Sequence, residues 1–230
     1  GAMTTLIIGQ GFLERNSMFQ FEYPILVIFA CVGMMMMLSA NDLIPMYLGL
    51  EMQSLSLYIL AAFRRDDNRS VEAGLKYFVL GAIASGMILY GCSLVYGISG
   101  STNFSDIAKN LNSGPDSPAN IVGILGIVFI LAGLSFKISA VPFHMWTPDV
   151  YEGAATPVTA FFSIAPKIAA FGILIRIMFV PFGNAVHEWQ QIIIFISIAS
   201  MSLGALGALN QKKIKRLMAY SSISHVGYAL

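Results

Sequence analysis

The sequence predicts an all-α fold, a polytopic bundle of transmembrane helices, and three observations carry that prediction. Of 230 residues, 57% are hydrophobic and only 11% are charged, less than half of the roughly 25% charge usual in soluble domains. Mean hydropathy is +0.74. Apolar runs close to the roughly 20 residues that cross hydrocarbon recur along the chain, and Lys and Arg gather in alternate loops. A soluble domain of this size could not hide so much apolar surface. An ordinary cytosolic enzyme, a nucleic-acid-binding domain and a disordered chain are therefore excluded. The net charge of +1 creates no bulk field toward an anionic partner.

The elements follow in order. Residues 1–9 are apolar but too short to span, and are expected to be the cut end of a membrane helix; a signal peptide is the alternative, but no basic n-region precedes them. Spans are expected at about 24–40, 43–63, 73–98, 121–141, 157–180 and 191–209, and residues 217–230 are expected to begin another. Pro24, Pro45 and Pro157 fall in first turns, where a missing N–H costs little. Asn41-Asp42 leaves almost no loop between two spans, which makes a tight antiparallel hairpin. The polar linker 99–120 carries Phe104, Ile107, Ala108 and Leu111 at helical spacing, which predicts a short surface helix. Gly81/Ser85, Ala82/Gly86 and Ser200/Gly204/Ala208 are four apart and read as helix-packing stripes. The run 34–37 of methionines is adaptable packing. Cys31 and Cys92 lie in apolar runs and supply no disulfide framework.

If every span crosses, one side receives Arg15, Arg64, Arg65, Arg69, Lys212, Lys213, Lys215 and Arg216, and the other only Lys109. This positive-inside asymmetry predicts that the basic side is cytoplasmic.

Glu51, Lys76, Lys137, Lys167 and Arg176 fall within the spans, where an ionisable group at the bilayer centre costs about 2.5–3.5 kcal/mol on insertion scales. Glu51 and Lys167 are about 12 and 15 Å deep at 1.5 Å per residue, beyond easy snorkelling. Glu51 also reads as one partner of a structural ion pair. Arg176 is near a helix end and is expected to snorkel; Lys76, near the start of its helix, reads equally as snorkelling or functional. Lys167 follows Pro166, which frees a backbone carbonyl in mid-helix and suggests access for water. Between Lys137 and Pro157, two prolines and a glycine interrupt an aromatic segment that includes His144. It reads as a broken helix, or a helix followed by an interfacial piece, tolerated at depth only against protein or a watery cavity. His144 reads as a proton carrier or a packed residue, and His187 as interfacial. His225, after Ser221, Ser222 and Ser224, reads equally as a polar path or as helix–helix glue. The sequence has no GxGxxG, Walker loop, CxxC or CxxCH, so neither a nucleotide site nor a redox centre is expected.

Several segments resemble the proton-translocating antiporter-like subunits of respiratory complex I. They are Ser39-Ala40-Asn41-Asp42-Leu43, Gly49-Leu50-Glu51-Met52-Gln53-Ser54, Glu72-Ala73-Gly74-Leu75-Lys76-Tyr77-Phe78, Phe136-Lys137 with Val141-Pro142-Phe143-His144-Met145-Trp146-Thr147-Pro148-Asp149, and Gln211-Lys212-Lys213-Ile214-Lys215-Arg216-Leu217-Met218-Ala219-Tyr220-Ser221-Ser222-Ile223. The run Val150-Tyr151-Glu152-Gly153-Ala154-Ala155-Thr156-Pro157-Val158-Thr159-Ala160-Phe161 looks like the subunit N branch of that family.

The resemblance implies fourteen helices in two inverted five-helix repeats, each with one broken helix, of which residues 22–180 would form the first and 191–230 open the second. It implies that Glu51 and Lys137 form a glutamate–lysine pair, that Lys167 is the central connecting lysine, and that Lys76, His225 and His144 belong to an accessory proton path. The second-repeat exit lysine has no counterpart here. It further implies NADH-to-quinone oxidoreduction by a whole complex with NADH, FMN, iron–sulfur clusters and quinone held by other subunits. This chain would bind no cofactor and no metal. Its partners would be other antiporter-like and small membrane subunits and the lipid bilayer of a bacterial inner or organellar membrane, not nucleic acid. A multisubunit cation/proton antiporter and a purely structural subunit, whose lysines only form buried ion pairs, are the alternatives.

Overall fold

The computed structural model describes residues 1–15, 20–110 and 118–230. The described residues form helices α1 (Ala2–Arg15), α2 (Glu22–Ser39), α3 (Leu43–Ala61), α4 (Asn68–Ser99), α5 (Phe104–Asn110), α6 (Pro118–Ile138), α7 (Trp146–Gly153), α8 (Thr156–Phe179), α9 (Val186–Leu209) and α10 (Ile214–Ala229), with a 3-10 turn at Gly183–Ala185. Six segments are long and apolar enough to cross a membrane: Glu22–Ser39, Leu43–Ala61, Asn68–Ser99, Ile121–Ile138, Thr156–Phe179 and Gly183–Leu209. These are the six expected spans, and the chain is a multi-pass membrane protein.

Helices α2 and α3 cross at very short range because both carry glycine at the contact. A Cβ on Gly33 would lie 2.5 Å from the Gln53 nitrogen, and one on Gly49 would lie 2.6 Å from the Met37 nitrogen. Their hairpin is fastened by Asp42, which accepts from the Ile44 N–H at 2.9 Å and from the Thr102 hydroxyl at 2.7 Å. Arg176 donates to the Leu38 carbonyl and to Asn41 at the same corner, so its guanidinium ties α8 to the hairpin.

Three features differ from the sequence reading: the length of α1, the start of α4 and one small-residue stripe. Helix α1 extends past residue 9 to Arg15. Helix α4 starts at Asn68, five residues before the expected span, because Asp67 caps it by accepting from the Arg69 N–H at 3.0 Å. Helix α5 is the short surface helix expected, docked through the buried Phe104 and Ile107, and the Phe104 N–H donates to the Asn41 carbonyl. Leu111, the fourth residue of that pattern, lies outside the described residues. Ala82 and Gly86 face outward, and a Cβ on Gly86 would meet nothing within 4 Å, so that stripe packs against no described part of this chain.

The break between α6 and α7 positions the interior polar groups. Helix α6 ends where Ser139 adopts a left-handed φ of 66°. The Ala140 N–H bonds back to the Ser135 carbonyl at 2.9 Å, and the freed Val141 N–H donates to Ser200 on α9 at 2.9 Å. Ser200, expected as a packing residue, therefore satisfies a backbone donor that the break exposes. The Trp146 indole donates to the Phe136 carbonyl at 3.0 Å and holds α7 against the end of α6.

Candidate proton-transfer site

Lys137 occupies the last turn of α6, where unpaired carbonyls make a helix end favourable to a cation. Its side chain is 7% exposed, and its ammonium donates to Ser54 Oγ at 2.6 Å and to the Tyr58 hydroxyl at 3.4 Å. Both acceptors belong to α3, three and seven residues after Glu51, so the three side chains share one stripe of that helix. Glu51 does not form the expected direct pair, because no oxygen of it lies within the 4.0 Å of an ion pair from Lys137. Glu51 Oε1 is buried and accepts no hydrogen bond among the described residues. The Tyr58 ring packs edge-on against Tyr77 with centroids 4.8 Å apart, and Tyr77 stacks on Trp146 at 4.4 Å. An aromatic row thus connects the surroundings of Lys137 to α7.

Lys167 stands in a separate cluster. It is 6% exposed, donates to Ser222 on α10 at 2.6 Å, and lies 5.4 Å from the centroid of the Tyr151 ring on α7. Its environment is two hydroxyl-bearing side chains and apolar packing, and among the described residues no carboxylate pairs with it within 4.0 Å.

Lys76 joins a third group at the basic edge. It pairs with Glu72 at 2.7 Å and Asp149 at 2.8 Å. Asp149 also meets Arg216 at 3.2 Å, and Glu152 meets Arg216 at 3.1 Å and Lys213. These side chains surround a polar cavity of about 270 Å³ between α4, α7 and α10. The hydrogen bond from Lys213, aided by Arg216, holds the Glu152 carboxyl below its ordinary range, whereas burial and then Arg64 push the Lys215 ammonium down.

The histidines are not gathered into these clusters. His225 is exposed and bonds within its own helix, with Nδ1 2.7 Å from the Ser221 carbonyl. His144 is half-buried in the break, and its Nδ1 meets no hydrogen-bond partner among the described residues. The sequence reading missed Ser54, Tyr58, Tyr151, Asp149 and Glu152, and named Ser222 only beside His225 and not with Lys167. The spacing of 51, 54 and 58 could have revealed the first two; the others come together only across helices distant in sequence. Among the described residues no group of three or more His, Cys, Asp or Glu is arranged to hold a metal ion.

A bundle of membrane-spanning helices with one helix broken, and with buried lysines on either side of the break, defines a class of multi-pass membrane proteins built on discontinuous helices. Residues 40–230 match the transmembrane family described as NADH:quinone oxidoreductase/Mrp antiporter, and the chain belongs to that family. It is 62% identical over 229 residues to the NADH-quinone oxidoreductase subunit N of Parvibaculum lavamentivorans and 60% identical over 230 residues to that of Rhodospirillum rubrum. The whole chain aligns in both cases, and it spans 47% of the length of each relative. Among solved structures, a chain of respiratory complex I from Thermus thermophilus is 40% identical, with a TM-score of 0.77 over 91% of this chain and 44% of that one. A chain of the Mrp complex from Dietzia is 26% identical, with a TM-score of 0.79 over 90% of this chain and 38% of that one. The antiporter-like fold is therefore common to both kinds of complex.

Proposed function

We propose that this chain is the part of a NADH-quinone oxidoreductase subunit N that carries protons within the membrane, coupled to electron transfer from NADH to quinone elsewhere in the assembly. The observation that carries this reading is the pair of nearly fully buried lysines, Lys137 and Lys167, each held by hydroxyls and not by a carboxylate at hydrogen-bond distance. A buried ammonium is costly unless a neighbouring charge offsets it. Glu51 on the Lys137 side is such a charge, and a shift of α3 against α6 changes how strongly it acts. Lys137 then gains or loses a proton, and Lys167 receives it on the way to the second repeat. Residues 22–180 form the first repeat on this reading and 191–230 begin the second. Lys76, set among Glu72, Asp149 and Arg216, belongs to the polar entrance at the basic, cytoplasmic edge.

NADH, FMN, iron–sulfur clusters and quinone belong to the rest of the complex on this reading, and neighbouring membrane subunits cover part of the apolar exterior. The setting is a bacterial inner membrane. In the assembled complex, Lys137→Ala lowers the protons moved per electron while leaving assembly intact; an unchanged ratio contradicts the assignment. The structural likeness to the Mrp complex supports one alternative, cation/proton exchange. Sodium-dependent exchange by the intact protein without NADH would favour it.

A further inference from the structure

The proton-translocation reading leaves open what decides whether Lys167 keeps its proton. Two contacts are made to its ammonium, and both come from elements that one set of ion pairs holds together. Ser222 on α10 accepts its hydrogen bond at 2.6 Å. Tyr151 on α7 presents its ring face 5.4 Å away. Tyr151 lies between Asp149 and Glu152 in the sequence. Asp149 is paired with Lys76 of α4 and Arg216 of α10, and Glu152 with Arg216 and Lys213 at the start of α10. The Lys215 ammonium adds a 2.8 Å bond to the Ala154 carbonyl just past α7. Ser222 is six residues beyond Arg216, about 9 Å along the helix.

We propose that Ser222 is a positioning residue for Lys167: its hydroxyl, held in place by the ion-pair clamp between α7 and α10, stabilises the protonated amine, and withdrawal of α10 releases the proton. The other charged groups on elements packed against α8 do not take this role. Glu14 of α1, Glu22 of α2 and Glu51 of α3 make no ion pair with Lys167 within 4.0 Å, and Asp149 and Glu152 of α7 are engaged by other cations. Lys137 of α6 is bound to Ser54, and His225 of α10 to its own helix. The hydroxyl of a residue from the expected second repeat is thus the hydrogen-bonding group at hand for a lysine of the first, and helix movement between repeats is converted into a change of protonation.

The inference rests on proton translocation through Lys167, and the experiment separates the two. The assembled complex, carrying the full-length subunit, is reconstituted in vesicles and its protons per electron are followed across about pH 6 to 9. Ser222→Ala moves the pH profile down by about one to two units, the size expected from loss of a hydrogen bond to a charged group, while Ser222→Thr, which keeps the hydroxyl, restores the original profile. Ser222→Val, matched in shape to threonine, behaves like alanine and serves where the alanine variant assembles poorly. Coincident profiles for the threonine and valine variants overturn the role of Ser222 even if Lys167→Ala abolishes pumping. Normal pumping by Lys167→Ala overturns the underlying translocation reading and this inference with it.

Discussion

Lys137 donates its shortest hydrogen bond to Ser54, one helical turn beyond Glu51, and not to Glu51 itself. Hydroxyls therefore hold the ammonium, and the carboxylate sits one turn away on the same stripe of α3. A tight buried ion pair would fix both charges. On the proposed reading, the looser arrangement leaves the proton on Lys137 responsive to small movements of α3.

Removing Ser54 tests that division of labour. Ser54→Ala leaves the Lys137 ammonium with only the longer contact to Tyr58, and loss of a buried partner costs about 1–3 kcal/mol. The expected result is a lower unfolding temperature for the purified complex, restored by Ser54→Thr.

Glu51→Gln separates field from packing. The amide is nearly the same size but uncharged, so pumping falls about tenfold or more, equivalent to about 1.4 kcal/mol, with thermal stability nearly unchanged. A loss of stability with pumping intact instead supports the structural-subunit alternative.

Much of the fold was legible in the sequence because membrane spans need only length and apolarity, and two prolines and a glycine announced the break after Lys137. The ends of helices were less visible. Asp67 lengthens α4 by a cap that hydropathy does not register. The burial of Lys167 was anticipated from depth, but that of Lys137 was not, and neither were their partners. Ser222 is 55 residues from Lys167, and Asp149 is 73 residues from Lys76, so only the folded arrangement of α4, α7, α8 and α10 brings them together. His225 illustrates the opposite case: a suggestive position whose ring turns to its own helix.

The edge clamp gives an acid dependence with a definite sign. Lys213 and Arg216 hold the Glu152 carboxyl below its ordinary range. A group depressed in this way stabilises the folded state above its unfolded value and loses that contribution as pH falls through the folded one. Thermal stability of the complex therefore declines as the medium is acidified below about pH 4.3, and Glu152→Gln, which lacks the charge throughout, shows a smaller decline over the same interval.

Packing around Tyr58 is equally constrained. A Cβ on Gly81 would fall 2.1 Å from the Tyr58 hydroxyl, so Gly81→Ala must displace the phenol that Lys137 meets. Overpacking of this kind costs about 1–3 kcal/mol. Both the unfolding temperature and the proton yield should drop, and Gly81→Ala combined with Tyr58→Phe, which removes the clashing oxygen, should recover part of the stability.

The claim on which all of this depends is that Lys167 handles protons. Protons translocated per NADH oxidised, measured in vesicles containing the assembled complex with Lys167→Ala, test it directly. The ratio is predicted to fall with the amount of assembled complex unchanged; a ratio equal to that of the unmodified complex would contradict the account.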